Sequence, residues 1–402
     1  MERSDFLPSL PPASPGTSEE AQGRSRPATD LRAAAQLATE AVLGTTRLVE
    51  AVHAAVWATV TPGPTPPGSR TAGLTGWIYR TVRGITHLSG RGTTWALGSL
   101  DRILDRTPRP STDARQRLLS VLNGVVGDHL AASGSPLALP FSLHAPDGHQ
   151  LNLDSPETAF GDTVVVFVHG LCLNDRDWMD TAGERTSLIE AVPAVLNGTA
   201  VLTRYNTGRS VRDNGEALGR CLTALTDRPA GPSRIVLVTH SMGGLVARSA
   251  IHHARRTAAR WPELVTETVY LGTPHRGAPL ERTGAWIEAQ LRRFAVTAPF
   301  AGLTDLRSQG IQDLRRGTPT PNASAHTSGR TLYVAAALTT DRRTRDAIGD
   351  GLVPLSSALN RPDGSGGSTR RVIEGLGHLH LLDAPAVTEY LCDWLSAAED
   401  SA

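Results

Sequence analysis

From Asp30 onward, apolar side chains recur at helical spacing. Leu31, Ala34, Ala38, Val42, Val49, Val52 and Val56 fall on one stripe, and Asp30 stands where a helix cap belongs. The stretch "TPGPTPPGS" at 61–69 ends that helix, because proline and glycine do not continue one. A second amphipathic stretch carries Leu74, Trp77, Ile78, Val82 and Ile85, and shorter helical patterns follow near 93–105 and 112–130. Residues 1–28, rich in Pro, Ser, Gly and charge, are expected to be disordered. The first third of the chain thus reads as a disordered segment, 1–28, and an α-helical accessory region, 29–132.

Near Leu137 the period changes. "LALPFSLHAPDGHQLNL" predicts two strands around Pro146-Asp147-Gly148. Short apolar runs at 164–168, 201–205, 235–239, 268–271 and 332–337 then alternate with helical patterns near 183–196, 213–226, 242–258 and 384–396. Strands that are apolar on both faces and separated by helices predict an α/β domain over 136–400, a mostly parallel sheet with helices on both faces. Residues 276–328 interrupt the alternation and read as an insertion.

Composition narrows the chemistry. The net charge is +1 and 40% of residues are apolar, so a core is available and no strong electrostatic partner is implied. All 40 basic residues are arginine, which fits GC-rich codon usage alongside abundant Ala, Gly and Pro; no nucleic-acid partner is expected. Without lysine there is no Schiff base, no Ser-Lys dyad and no Walker A phosphate loop. Cys172, Cys221 and Cys392 are far apart and odd in number, suggesting neither a disulfide framework nor a zinc site. The start lacks the apolar core of a signal peptide, and no uncharged apolar run is long enough to span a bilayer. The expected location is the cytoplasm, with peripheral membrane contact left open.

In a parallel sheet, functional groups gather at the carboxyl ends of strands. The residues that follow each apolar run are "HGLCLND", "NTGRS", "HSMGG", "GTPHRG", "GDGLVP" after a loop, and the histidine loop of "RVIEGLGHLHLLDAP". They supply a serine, an acid and a histidine in that order. The order Ser, Asp, His resembles the α/β-hydrolase superfamily, with "HSMGG" as the sharp strand-to-helix turn of its nucleophile. "FVHGLCLND", "LGTPHRG", "DGLVP" and "GHLHLL" narrow the resemblance to bacterial lipase-like and PGAP1-like serine hydrolases, over about 137–398.

The resemblance implies a role for each residue. Ser241 would be the nucleophile; its plainer alternative is a serine capping the following helix. Thr239 stands where the family usually has glycine, while Gly243 keeps the second glycine. His378 would be the base, since the family's histidine commonly precedes a proline by seven residues and Pro385 lies seven beyond it; His380, five before Pro385, is the alternative. Asp350 would orient the histidine, with Asp341 and Asp346 as alternatives in the same loop. The backbone N–H groups of Leu171 and Met242 would form the oxyanion hole. His169, His240 and His275 read as structural. Some relatives bind calcium through an aspartate two residues after the histidine; here that residue is His380, so neither metal nor cofactor is expected.

Within the insertion, Trp286, Ile287, Leu291 and Phe294 share a helical stripe. This is either a lid whose Trp286, Leu291 and Phe294 line an acyl site, or a helix packed on the sheet. The N-terminal helices read as an accessory layer, as a membrane-surface element using Trp57, Trp77 and Trp95 with Arg80, Arg83 and Arg91, or as a partner-binding element. The expectation is a serine carboxyl-ester hydrolase, an esterase or lipase, acting through an acyl-enzyme on a small-molecule or lipid ester with an apolar acyl part. A thioesterase or acyltransferase would use the same residues. The alternative from another class is a hydrolase-fold scaffold or membrane-associated binding protein without catalysis.

Overall fold

The computed structural model describes residues 24–25, 109–110, 113–155, 160–179, 187–292, 308–317, 329–341, 343–360 and 368–399. The chain divides into two compact units, Met1–Thr112 and Asp113–Ala402. In the first, Arg24–Ser25 pairs antiparallel with Arg109–Pro110. The helical stripes expected between 30 and 105, with their tryptophans and arginines, lie outside the described residues.

Among the described residues, the second unit holds seven strands in one sheet. These are β1 (Ser142–His144), β2 (Thr163–Val168), β3 (Thr199–Arg204), β4 (Arg234–His240), β5 (Val265–Leu271), β6 (Arg330–Ala337) and β7 (Ser368–Glu374). Their order across the sheet is β1-β3-β2-β4-β5-β6-β7. Only β1 runs antiparallel to its neighbour. The expected mostly parallel α/β sheet is therefore present. The second strand expected in "HQLNL" is reduced to one bridge, His144 to Gln150. The Asn152 side chain accepts the Asp154 N–H at 3.0 Å, and this local turn diverts the chain from the ladder.

The described helices are α1 (Asp113–Ala132), α2 (Leu188–Val195), α3 (Val211–Thr226), α4 (Met242–Arg256), α5 (Leu280–Arg292), α6 (Gln309–Arg316) and α7 (Pro385–Glu399), besides short turns. All six residues of β2 are buried, so both sheet faces must be covered. On one face Val165, Phe167, Val236, Val238, Val269 and Val334 form a core with Leu188 and Val192 of α2 and Leu391 and Leu395 of α7. Toward the other face, Tyr270, Tyr333, Ala335 and Ala337 pack with Leu352, Val353, Leu355 and Leu359, and Trp286 of α5 lies against them. Helix α1 belongs to this unit, whereas its sequence pattern grouped it with the helices before it. No helix among the described residues is long and apolar enough to cross a membrane.

Candidate active site

Three strand ends converge. The β4 strand ends at His240, and α4 begins at Met242, leaving a single residue, Ser241, to make the turn. Ser241 takes φ 53 and ψ −125, a conformation that costs a side-chain-bearing residue on the order of 1–3 kcal/mol. Its amide is held by Leu271 O at 2.8 Å, at the end of β5. The turn is this tight because α4 starts against β2. A Cβ on Gly243 would stand 2.2 Å from Val168 O and 2.6 Å from His169 O. Thr239 fits in place of the usual glycine because its side chain turns across the sheet, where the hydroxyl donates to Val269 O at 2.9 Å.

The Ser241 hydroxyl makes no bond to the helix it precedes, so the capping alternative does not describe it. It lies 2.9 Å from His378 Nε2. His378 Nδ1 lies 2.6 Å from Asp350 Oδ2, and Asp350 Oδ1 accepts the N–H groups of Leu352 at 2.9 Å and Val353 at 2.7 Å. A carboxylate only accepts, so Nδ1 carries the imidazole proton and Nε2 is left as the acceptor for Ser241. All three side chains are buried.

The alternatives fall away from this site. His380 is exposed, and its Nδ1 accepts the Gly377 N–H at 3.2 Å. Asp341 is exposed and binds the Thr344 hydroxyl at 2.9 Å; that bond and the Arg343 N–H hold its carboxyl below the usual range. Asp346 is exposed beside Arg345.

The loop after β2 passes directly over the serine. A Cβ on Gly170 would lie 2.9 Å from Ser241 Cβ. The Leu171 N–H follows, and it and the Met242 N–H have no acceptor among the described residues. The next amide, that of Cys172, is occupied by Thr207 Oγ1 at 3.1 Å. The loop is further tied down by Asp175, whose carboxylate is gripped by Arg204 at 2.6 and 2.7 Å in a buried pair. Burial pushes the Asp175 carboxyl up, but the Arg204 guanidinium outweighs it and leaves the group below its ordinary range.

The neighbouring histidines are neutral supports. His240 Nε2 donates to His378 O at 3.1 Å, and burial, with the nearby His378, keeps its pKa well below 6.5. His169 is lowered to about 4 by burial; its ring stacks on Tyr205, whose hydroxyl donates to His169 O at 2.6 Å. His275 meets the stacked Tyr270 and Tyr333 rings edge-on, its pKa lowered by burial and by Arg248. Trp286 is half-buried against the Tyr270–Tyr333 cluster, and Arg282 of the same helix donates to Ala347 O and Ile348 O. The Leu291 side chain and Phe294 lie outside the described residues.

Two groups of supporting residues were missed by the sequence reading: Thr207, and the small residues of α1 discussed below. A signal was present for the second. Gly124 and Gly127 lie inside a helical pattern, where each costs up to ~1 kcal/mol against alanine unless something packs closely there.

Residues 159–331 match the family model of the PGAP1-like alpha/beta domain. The match contains Ser241, Leu171 and Met242 and ends before Asp350 and His378. Among solved structures, the chain is similar to a lipase of Bacillus licheniformis in its mature form (19% identity, 63% of this chain and 99% of that one, TM-score 0.41). It is also similar to a thermophilic esterase from Thermogutta terrifontis (18%, 60% and 91%, TM-score 0.38) and an esterase from Rhodococcus sp. ECU1013 (13%, 64% and 94%, TM-score 0.38). None of the curated proteins matches the chain. The sheet order, the strained serine turn and the family-model match together give the second unit an α/β-hydrolase fold.

Proposed function

We propose that this protein is a serine ester hydrolase acting through an acyl-enzyme. The observation that carries the reading is the unbroken chain from Ser241 Oγ through His378 to Asp350, at 2.9 and 2.6 Å. His378 Nε2 takes the hydroxyl proton as Ser241 Oγ attacks the acyl carbon, and Asp350 stabilises the imidazolium that forms. The Leu171 and Met242 N–H groups receive the oxyanion; one such donor is typically worth about 100- to 1,000-fold in rate. His378 returns the proton to the leaving alkoxide. It then deprotonates the water that releases the acid and frees Ser241.

An apolar acyl part is supported by one exposed leucine beside the acid and base loops. Among the described residues the exposed large hydrophobics are Met179 and Leu338, both in segments that follow strand ends. Leu338 stands beside the acid and base loops: its side chain would be 2.9 Å from a Cβ on Gly351 and 3.5 Å from one on Gly377. A small-molecule or lipid ester is the substrate class, and no step requires a metal or cofactor. Thioester hydrolysis and acyl transfer would use the same groups, differing only in leaving group or acceptor.

The test is covalent. An alkyl fluorophosphonate should add once, on the peptide containing Ser241, and His378→Ala should abolish the addition. Labelling elsewhere, or none on folded protein, would overturn the reading.

A further inference from the structure

Helix α1 precedes the sheet in sequence and supplies none of the reacting groups, yet it runs alongside the loop that carries the Leu171 amide. Three contacts follow one another along the two segments. Arg176 pairs with Asp113 at 2.8 Å. The Asn174 side chain donates to Ser120 Oγ at 3.0 Å, and Ser120 in turn donates to Gln116 O. Cys172 lies against Gly124, where a Cβ would meet Cys172 Sγ at 2.2 Å and its backbone N at 3.1 Å. Ser120 and Asn174 are buried, so the polar contact between them is shielded from water.

The helix is itself held by α6. At Val126 the backbone leaves helical geometry (φ −129, ψ 19). Ser308, the cap of α6, engages two carbonyls just before the kink, through its hydroxyl to Gly124 O at 2.6 Å and its amide to Val125 O at 3.2 Å. The Gln309 N–H then binds Asp128 Oδ2 at 2.9 Å. Gly124 is therefore held through its carbonyl by Ser308 while its Cα faces Cys172, which leaves it little freedom to shift. The segment after β3 joins both: Thr207 holds the Cys172 amide, and the Asn206 side chain donates to Gly127 O of α1 at 2.8 Å.

From this geometry we infer that α1 is a positioning element of the oxyanion loop, with Gly124 and Ser120 as the positioning residues that set where the Leu171 N–H points. The inference rests on the ester-hydrolase reading above. Cys172 has φ 60, a conformation uncommon for a side-chain-bearing residue, and its peptide with Leu171 is the next along the chain after the one that carries the Leu171 N–H. What constrains it is the Gly124 surface below and Thr207 beside it. A donor displaced by a fraction of an ångström loses its transition-state contact while substrate binding elsewhere is unaffected.

The experiment compares wild type, Gly124→Ala, Cys172→Gly, the double variant and Ser120→Ala in the full chain. Steady-state hydrolysis of p-nitrophenyl butyrate is measured per folded molecule, with the affinity for an alkylboronic acid whose Ser241 adduct places an oxygen at the Leu171 amide. Gly124→Ala is expected to lower kcat by about 10-fold or more with KM little changed, and to weaken the boronate in parallel. Adding Cys172→Gly removes the Sγ clash and suits the positive φ, and should return part of that loss. Should Gly124→Ala not fold, Ser120→Ala carries the test, with a smaller fall in kcat and the same parallel in boronate affinity. Variants that lose stability while retaining wild-type kcat and boronate affinity per folded molecule would overturn the inference alone. A wild type inert toward both the ester and a fluorophosphonate would instead overturn the ester-hydrolase reading, and this inference with it.

Discussion

Asp350→Asn keeps the size of the group that faces His378 but replaces an acceptor by an amide that can donate, so the imidazole loses its reason to carry its proton on Nδ1. The expected fall in kcat is about four orders of magnitude, with KM little changed. Asp350 also accepts the Leu352 and Val353 amides through Oδ1. Asp350→Ala should therefore lower stability as well, by about 1–3 kcal/mol for the orphaned N–H groups, and the two effects separate in kcat and in the denaturant midpoint. His380→Ala, on an exposed ring, should leave kcat close to wild type; a loss as deep as that of His378→Ala would contradict the assignment. At this scale the juxtaposition was legible: serine, acid and histidine each follow an apolar run, and the Pro385 spacing implied by the family resemblance favoured the histidine that now faces Ser241. Thr207 was not legible, because nothing in "NTGRS" distinguishes a hydroxyl that holds a neighbouring loop from one in solvent.

Elements were readable where burial imposes a period and unreadable where contacts cross the sequence. The five central strands begin one to three residues before their apolar runs, since ladder bonds extend past the side chains that need burial. The second strand after Gly148 yielded to the Asn152 turn, a competition between local side-chain bonding and pairing that apolar spacing does not report. The Arg204–Asp175 pair joins β3 to the loop after β2 across 29 residues, and no local pattern announces it. Arg204→Leu would strand the Asp175 carboxylate in the interior and should cost about 3–5 kcal/mol, read as a lower denaturant midpoint at unchanged slope. Arg204→Leu with Asp175→Leu removes both charges and should recover much of the loss. A single variant as stable as wild type would mean the pair is solvated.

Over the whole molecule, several buried histidines couple stability to pH. His144 and His169 are lowered to about 4, and burial is the leading cause in each. In the unfolded chain each would bind a proton near pH 6.5, whereas in the folded protein neither does until about pH 4. The unfolded state therefore holds more protons in that window, and stability falls as pH drops from about 6.5 to about 4, by on the order of 3 kcal/mol for each group at full extent. His240 and His275, held neutral by burial, act in the same direction. Calorimetry across that range should show Tm falling with pH, and a flat profile would contradict the buried neutral histidines. The central claim is that the convergence of three strand ends on Ser241 makes an ester hydrolase. Its most direct test is hydrolysis of p-nitrophenyl esters from acetate to palmitate by wild type and Ser241→Ala. The account predicts turnover by wild type and its loss in the variant by at least about three orders of magnitude. Equal rates in the two proteins, or none in folded wild type at any chain length, would contradict it.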